Sequence, residues 1–390
     1  MANYPTFRSI AERGKTSHLV SKQIPKMLLI GVVSSLDYHI AQIMKRILRK
    51  NPKMISDSDR QIAVKDIFRA GSLEEFQDFL IDREIDIITR DSFEEQVLWF
   101  EKRLNLSRAI KDDYKKWNSL IEIIERRNLF AHADGIVNTT YLKKIFQDAE
   151  GKIERGEALF ASDKYFRASL DNICEFGVKI LQVVWRKMHS DQADIADTKL
   201  GDFGYKLIER GEYKLAANIL DFAVNGIKGK KNEERRRMDM VNLSNAYKLS
   251  GQIKESEETL LMDDWSIVSD RFAISVSAIR QDIPSVIKYM RRLAQSGEWD
   301  GEELEEWAVF FHVREDPVFL EEFSKIYHKN FAPAPKARHK ILSGIRIEEE
   351  PEEQSVDIAA NSQPSKELID LTPQKKGRKR STIRKDVLTN

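Results

Sequence analysis

Apolar residues in this chain return every three or four positions, while the every-second-residue alternation of a half-buried strand is nearly absent. That pattern leaves an all-α fold as the expectation. The first long helix is predicted from about Ser21 to Arg49, with Val33, Leu36, Ile40, Ile43 and Ile47 on its inner face and Asn51-Pro52 closing it. Helices are expected next over Ser58–Arg69, over Ser72–Ile85, where Ser72 and Glu75 form a capping-box pair, and over Ser92–Leu104. Ser107 opens a region that continues into Trp117–His132. Thr140–Gly156 and Asp163–Met188 follow, the latter carrying Phe166, Leu170, Ile173, Phe176, Ile180 and Val184. Residues 1–190 together read as one N-terminal helical bundle.

The length of 390 residues leaves room for a second domain and a tail. A net charge of +1 means that any basic surface is local. The single cysteine, Cys174, excludes an internal disulfide and a cysteine-based metal cluster, in keeping with a reducing cytoplasm. The longest apolar run, Met27–Val33, is too short to span a bilayer, and the N-terminus has no hydrophobic signal core. A cytoplasmic chain without a membrane partner is therefore expected. No Gly-rich phosphate loop, HExxH, EF-hand loop or Rossmann fingerprint is present, and the seven histidines are scattered, so neither metal nor cofactor is expected.

One stretch, Ile121–Gly135, breaks the pattern. At about 100° per residue from Leu120, the residues Trp117, Leu120, Ile124 and Ala131 share a stripe, and Arg127 and Asn128 land on it too. Glu122, Glu125 and Arg126 fall on the opposite, polar face. Asn128 and His132 are one turn apart, and Asp134-Gly135 stops the helix. A guanidinium and an amide on an apolar stripe need partners. This face either packs on acidic groups or lines a cleft needing cationic and titratable chemistry.

Arg127-Asn128-Leu129-Phe130-Ala131-His132 near a helix end resembles the signature of the HEPN superfamily of all-helical ribonucleases and nucleotide-binding proteins. A second stretch with the same spacing, Arg13–His18, contains Gly14, lacks the asparagine, precedes the first predicted helix and reads as coincidence. The resemblance implies metal-independent RNA cleavage, in which the ribose 2′-OH attacks the adjacent phosphate and leaves a 2′,3′-cyclic phosphate. His132 would move the proton, imidazole being the side chain that titrates nearest neutral pH. Arg127 would hold the phosphorane, and Asn128 would orient the histidine or the phosphate. One copy supplies one histidine, so the resemblance also implies a homodimer with the motif-bearing helices packed around a shared cleft. Asp37, on the flank of the first helix, is the acidic residue that would hold Arg127.

From about Ala193 paired helices are expected. Gly204, Leu207, Gly211, Tyr213, Ala216 and Ala223, then Leu243, Ala246, Tyr247, Gly251, Ile253 and Leu260, resemble tetratricopeptide repeats in spacing. Looser pairs follow over Ser266–Arg280, Ile283–Ser296, Gly301–Phe311 and Asp316–Phe331. Trp307 and Phe310-Phe311 read as repeat core, Glu233–Arg237 as an exposed helix start, and His39, His189, His312 and His328 as surface or packing residues. Residues 191–331 form this second unit. Residues 332–390, with the acidic run Glu348–Glu353 and the basic cluster Lys375–Arg380 and no aromatic after Phe331, read as a disordered charged tail.

The leading expectation is an endoribonuclease homodimer cutting RNA, regulated by a protein bound to the repeats or the tail. The family resemblance implies a role in a toxin or antiphage system. The rival is a non-catalytic scaffold whose bundle dimerises and whose repeats recruit protein or RNA, with Arg127 and Asn128 merely paired to Asp37 or capping a neighbouring helix.

Overall fold

Leu29, Val33, Leu36, Ile40, Met44 and Ile47 are all buried on one side of a single helix, α1 (Phe7–Lys50). The computed structural model describes residues 7–56, 61–145, 153–229 and 232–332, with 7–22 as backbone only. α1 begins well before Ser21, so the Arg13–His18 stretch lies within it, its side chains outside the described residues. Pro25 sits inside the helix, at the loss of one backbone hydrogen bond. By length and composition Gln23–Lys50 is apolar enough to cross a membrane, which counting consecutive apolar residues does not register. In this fold one apolar side of it is covered by other helices, while Ile24, Met27, Leu28 and Tyr38 on the other stay exposed.

The chain is all-α: among the described residues the only strand-like pairing is one antiparallel bridge between Ile136 and Ala158. After the short α2 (Lys53–Ser56), the helix expected over Ser58–Arg69 is reduced to α3 (Val64–Arg69), residues 57–60 lying outside the description. α3 buries none of its side chains, and a helix that short has little else to stabilise it. Ser72 accepts the Glu75 N–H (3.1 Å) and opens α4 (Leu73–Ile88) as its spacing predicts. α4 runs antiparallel to α1, with Arg49 bonded to Asp78 and Lys45 to Asp82.

Next come α5 (Phe93–Leu104), α6 (Ile110–Asp113), α7 (Trp117–His132), α8 (Thr139–Lys144) and α9 (Asp163–Met188). The rings of Phe93, Trp117 and Phe176 bring α5, α7 and α9 together at centroid distances of 5.5–6.3 Å. α9 lies parallel to α1: Gly177 faces Leu36 and His39, and Lys50 reaches the Met188 carbonyl. α7 is antiparallel to both, since Tyr114 at its start bonds Asn172 while Glu122 bonds Tyr165. The long helix expected over Thr140–Gly156 does not form. Lys144 ends it, residues 146–152 are outside the description, and 157–159 pair with 135–137 instead.

Beyond Met188 the helices pair as their spacing predicts: α10 (Ala193–Glu209) with α11 (Tyr213–Asp221), α12 (Glu233–Leu249) with α13 (Ile253–Leu260), and α14 (Asp270–Arg280) with α15 (Ile283–Gln295). The turns of the first two pairs carry Gly211 and Gly251 at positive φ. α16 (Glu302–Glu306) and a 3₁₀ turn over Ala308–His312 replace the helix expected over Gly301–Phe311, and α17 (Pro317–Tyr327) follows. Trp299, Phe310, Phe319 and Phe323 are buried in the core of this last part. The run Glu233–Arg237 is not simply exposed. Arg235 bridges to Asp202 of α10 and Asp239, and Arg236 and Arg237 both reach Asp263.

The two halves meet along α9. The buried Glu175 accepts from Lys116 (2.8 Å) at the start of α7, from Lys179 (2.6 Å) and from Asn218 of α11 (3.0 Å). Burial opposes its charge, but the ammoniums of Lys179 and Lys116 hold its carboxyl below the usual range.

Two outcomes follow from this packing. A Cβ on Gly204 would lie 2.5 Å from the buried Leu220, so Gly204→Val is expected to lose about 2 kcal/mol or more by overpacking. Gly31, helical with open space around it, is the control: Gly31→Ala is expected to gain about 1 kcal/mol of helix propensity. Thermal melts of both variants check this. Separately, burial and the nearby Lys248 lower the His312 imidazole from 6.5 to about 4, with the ring bonded to Asn245 (2.8 Å). The unfolded chain binds this proton more readily, so His312's contribution is present above about pH 6.5 and is lost as pH falls towards 4. Urea titrations of wild type and His312→Gln are expected to converge over that window.

Candidate functional site

α7 passes from the core to the surface along its own length. Trp117, Leu120, Ile124 and Leu129 are buried, Arg127 and Asn128 are half-buried, and Ala131 and His132 are exposed. The stripe drawn from the sequence is therefore continuous, but only its first half faces apolar neighbours. The helix stops because Ala133 and Gly135 both donate to the Leu129 carbonyl (2.8 and 3.0 Å) while Asp134 and Gly135 take positive φ. A Cβ on Gly135 would stand 2.8 Å from the Leu159 carbonyl oxygen, so the turn requires glycine. Bonds from Leu159 to Gly135 and from Val137 to Glu157, both 2.9 Å, then pin the segment that leaves His132.

Arg127 Nη2 donates to Asp37 Oδ2 at 2.9 Å, which brings together two residues 90 positions apart. The pair sits at a lip, the Arg127 side chain 19% and the Asp37 side chain 35% exposed. Arg127 Nε is buried with no hydrogen-bond partner among the described residues. Asn128 Nδ2 donates to Glu125 Oε2 at 3.4 Å. That leaves its carbonyl oxygen without a bond among the described residues. His132 is exposed and likewise makes no side-chain bond there. Arg127 thus faces α1, while Asn128 and, one turn beyond it, His132 lie further round the surface end of α7. Such a helix end can bind an anion and move a proton beside it.

The opposite face departs from its sequence reading. Glu122 and Glu125 are buried rather than solvated, because α8 and the start of α9 cover them. Glu122 accepts from Arg126 Nε, Tyr141 Oη and Tyr165 Oη, each at 2.7 Å, and Glu125 accepts from Lys144 at 2.6 Å. Arg126 also donates to the Phe160 carbonyl and stacks over Tyr165. Burial, and after it the Glu122 carboxylate, push both tyrosines well above the usual phenol range. Sequence reasoning missed Tyr141, Tyr165 and Lys144 because they lie on other elements. It also missed Lys26, whose ammonium bonds the Asp134 carbonyl and carboxylate. A signal for Lys26 existed: it stands three residues before Leu29 and seven before Val33, on the buried stripe of α1.

Comparison with known protein families, with curated proteins and with solved structures finds no match.

Glu122→Ala strands three donors in a buried place, and a loss of about 3–5 kcal/mol is expected by denaturant unfolding. Glu122→Gln, which keeps an acceptor, is expected to lose less.

Proposed function

We propose that this chain is a metal-independent endoribonuclease of the HEPN type, with Arg127, Asn128 and His132 as its working residues and Asp37 as the support for Arg127. The observation that carries this reading is an exposed imidazole with no partner among the described residues, in the last turns of the helix that also bears a guanidinium already held by a carboxylate from another helix. Arg127, held by Asp37, would donate from its remaining guanidinium N–H groups to the phosphate oxygens and steady the charge that builds on the phosphorane. Asn128 would offer its carbonyl oxygen to the ribose hydroxyl or to the imidazole. His132 would transfer the proton.

Cleavage by 2′-OH attack needs one group to take a proton and another to give one, and each copy supplies a single imidazole at this helix end. A second copy is the proposed source of the other. α1 offers a surface for it: Ile24, Met27, Leu28 and Tyr38 are exposed, and with Gly31 and Ser35 they form one stripe on the helix that also bears Asp37. Pairing two such stripes would bring two copies together through α1. The helix pairs after Met188 fit a tetratricopeptide-like unit that binds a regulatory protein, and joined to α9 they suit the layout of a toxin or antiphage effector.

One observation favours the rival, a non-catalytic scaffold: Arg127 is already neutralised by Asp37 within its own chain. The two readings separate in one assay. Purified protein is expected to cut single-stranded or transfer RNA in EDTA, leaving 2′,3′-cyclic ends. Arg127→Ala and His132→Ala are expected to lower the rate by about 10³-fold or more while leaving the melting temperature nearly unchanged. Leu28→Glu is expected to give an inactive monomer in sedimentation. Cleavage that persists in both motif variants would remove the catalytic reading, and a dimer that cuts no RNA would favour the scaffold.

A further inference from the structure

Lys26 is the most deeply buried lysine near the motif, its residue only 6% exposed. Its ammonium donates to the Asp134 carbonyl oxygen and to Asp134 Oδ1, both at 3.1 Å, and lies 5.5 Å from the Phe130 ring and 5.6 Å from that of Phe160. Burying an ammonium is unfavourable without such partners. The Asp134 carboxylate is 81% exposed, so its attraction is largely screened by solvent. The carbonyl oxygen and the two rings are the firmer half of the contact. That carbonyl belongs to the turn that ends α7, two residues after His132.

Eleven residues further along α1, Asp37 holds Arg127. The same helix therefore grips the motif before its first residue can swing and just after its last. Arg127 is held through its side chain. His132, with no side-chain partner among the described residues, is held only through its backbone, and Lys26 supplies the contact from another helix closest to it along the chain. We infer that Lys26 is a positioning residue for His132, acting through the Asp134 turn. This assignment rests on the endoribonuclease reading for its kinetic consequence, though not for its structural one. A shift of the imidazole by about 1 Å is enough to slow proton transfer strongly.

The test uses the full chain and three variants. Lys26→Met keeps the aliphatic stem among Phe130 and Phe160 and removes the ammonium. Because the Asp134 carboxylate left behind is exposed to water, no buried charge is left unpaired and this variant is expected to fold. The turnover number on RNA is expected to fall about tenfold with KM within about twofold, as for a misplaced proton carrier. Lys26→Arg, which can still reach the Asp134 carbonyl, is expected to recover most of that loss. Amide hydrogen exchange supplies a readout independent of RNA: Ala133 and Gly135 are expected to exchange about tenfold faster in Lys26→Met while Leu120–Leu129 stay protected. Asp134→Asn, in an exposed side chain, is the second variant should Lys26→Met not fold, and a local rise of about threefold is expected there.

Unchanged exchange at Ala133 and Gly135 in folded Lys26→Met, or in Asp134→Asn where that variant stands in for it, would overturn the assignment. A rise spread evenly over the whole of α7 would overturn it too, since that is what loss of general packing produces. Wild-type protein that cuts no RNA would remove the endoribonuclease reading, and the exchange data would still decide whether Lys26 fixes the turn.

Discussion

Over most of its length α7 has no side left for water, and the N-terminal half is arranged around satisfying what that helix carries. Its apolar stripe is taken by α1, α5 and α9. Its other face presents two carboxylates, and a buried carboxylate without donors is far costlier than an exposed one. Tyr141, Tyr165, Arg126 and Lys144 supply those donors from three elements. α8 stays in place although it is only six residues long, because it brings both Tyr141 and Lys144 to that face. The network specifies one seating of α7 more than it adds stability. An apolar version could be as stable, but it would allow more than one rotation of the helix.

That seating decides what the surface end of α7 displays. With Glu122 and Glu125 turned inward, Arg127 comes to Asp37, and Ala131 and His132 emerge beyond the cover of α1. The site is thus a by-product of a helix longer than the layer that covers it, trimmed by the Asp134-Gly135 turn. Its cation is neutralised and steadied, whereas its imidazole is left open. Under the proposed ribonuclease reading the asymmetry has a physical sense: a guanidinium holding a multiply charged group would gain from a fixed orientation, while a proton carrier would need access to its substrate.

The Glu175 junction ties this bundle to the helix pairs. Its donors come from the residue preceding α7, from α9 itself and from α11, so the start of α7 and the first helix pair share one buried carboxylate. The pairs beyond it stack by close approach at small residues such as Gly204 and by arginine bridges such as Arg235 to Asp202. These are contacts between neighbours in sequence order, which is why their spacing was readable one pair at a time.

Helix type and most helix starts were determined by the sequence alone. Apolar spacing near 3.6 and the Ser72 and Ser92 caps act within a few residues, and local forces of that kind survive in any tertiary setting. The Asp37 partner of Arg127 was legible for the same reason, lying on the flank of a stripe whose buried side was already evident. What amphipathic reasoning could not supply was the fate of a polar face, because it assumes that one side of every helix meets water. Glu122 and Glu125 were placed outside on that assumption, and the fold turned them in. Likewise the helix read over Thr140–Gly156 ends at Lys144, and at its expected end Gly156 donates to the Val137 carbonyl instead. Periodicity reports where apolar residues sit along one element. Only the packing of several elements decides which polar residues lose their water, and which, like His132, keep it.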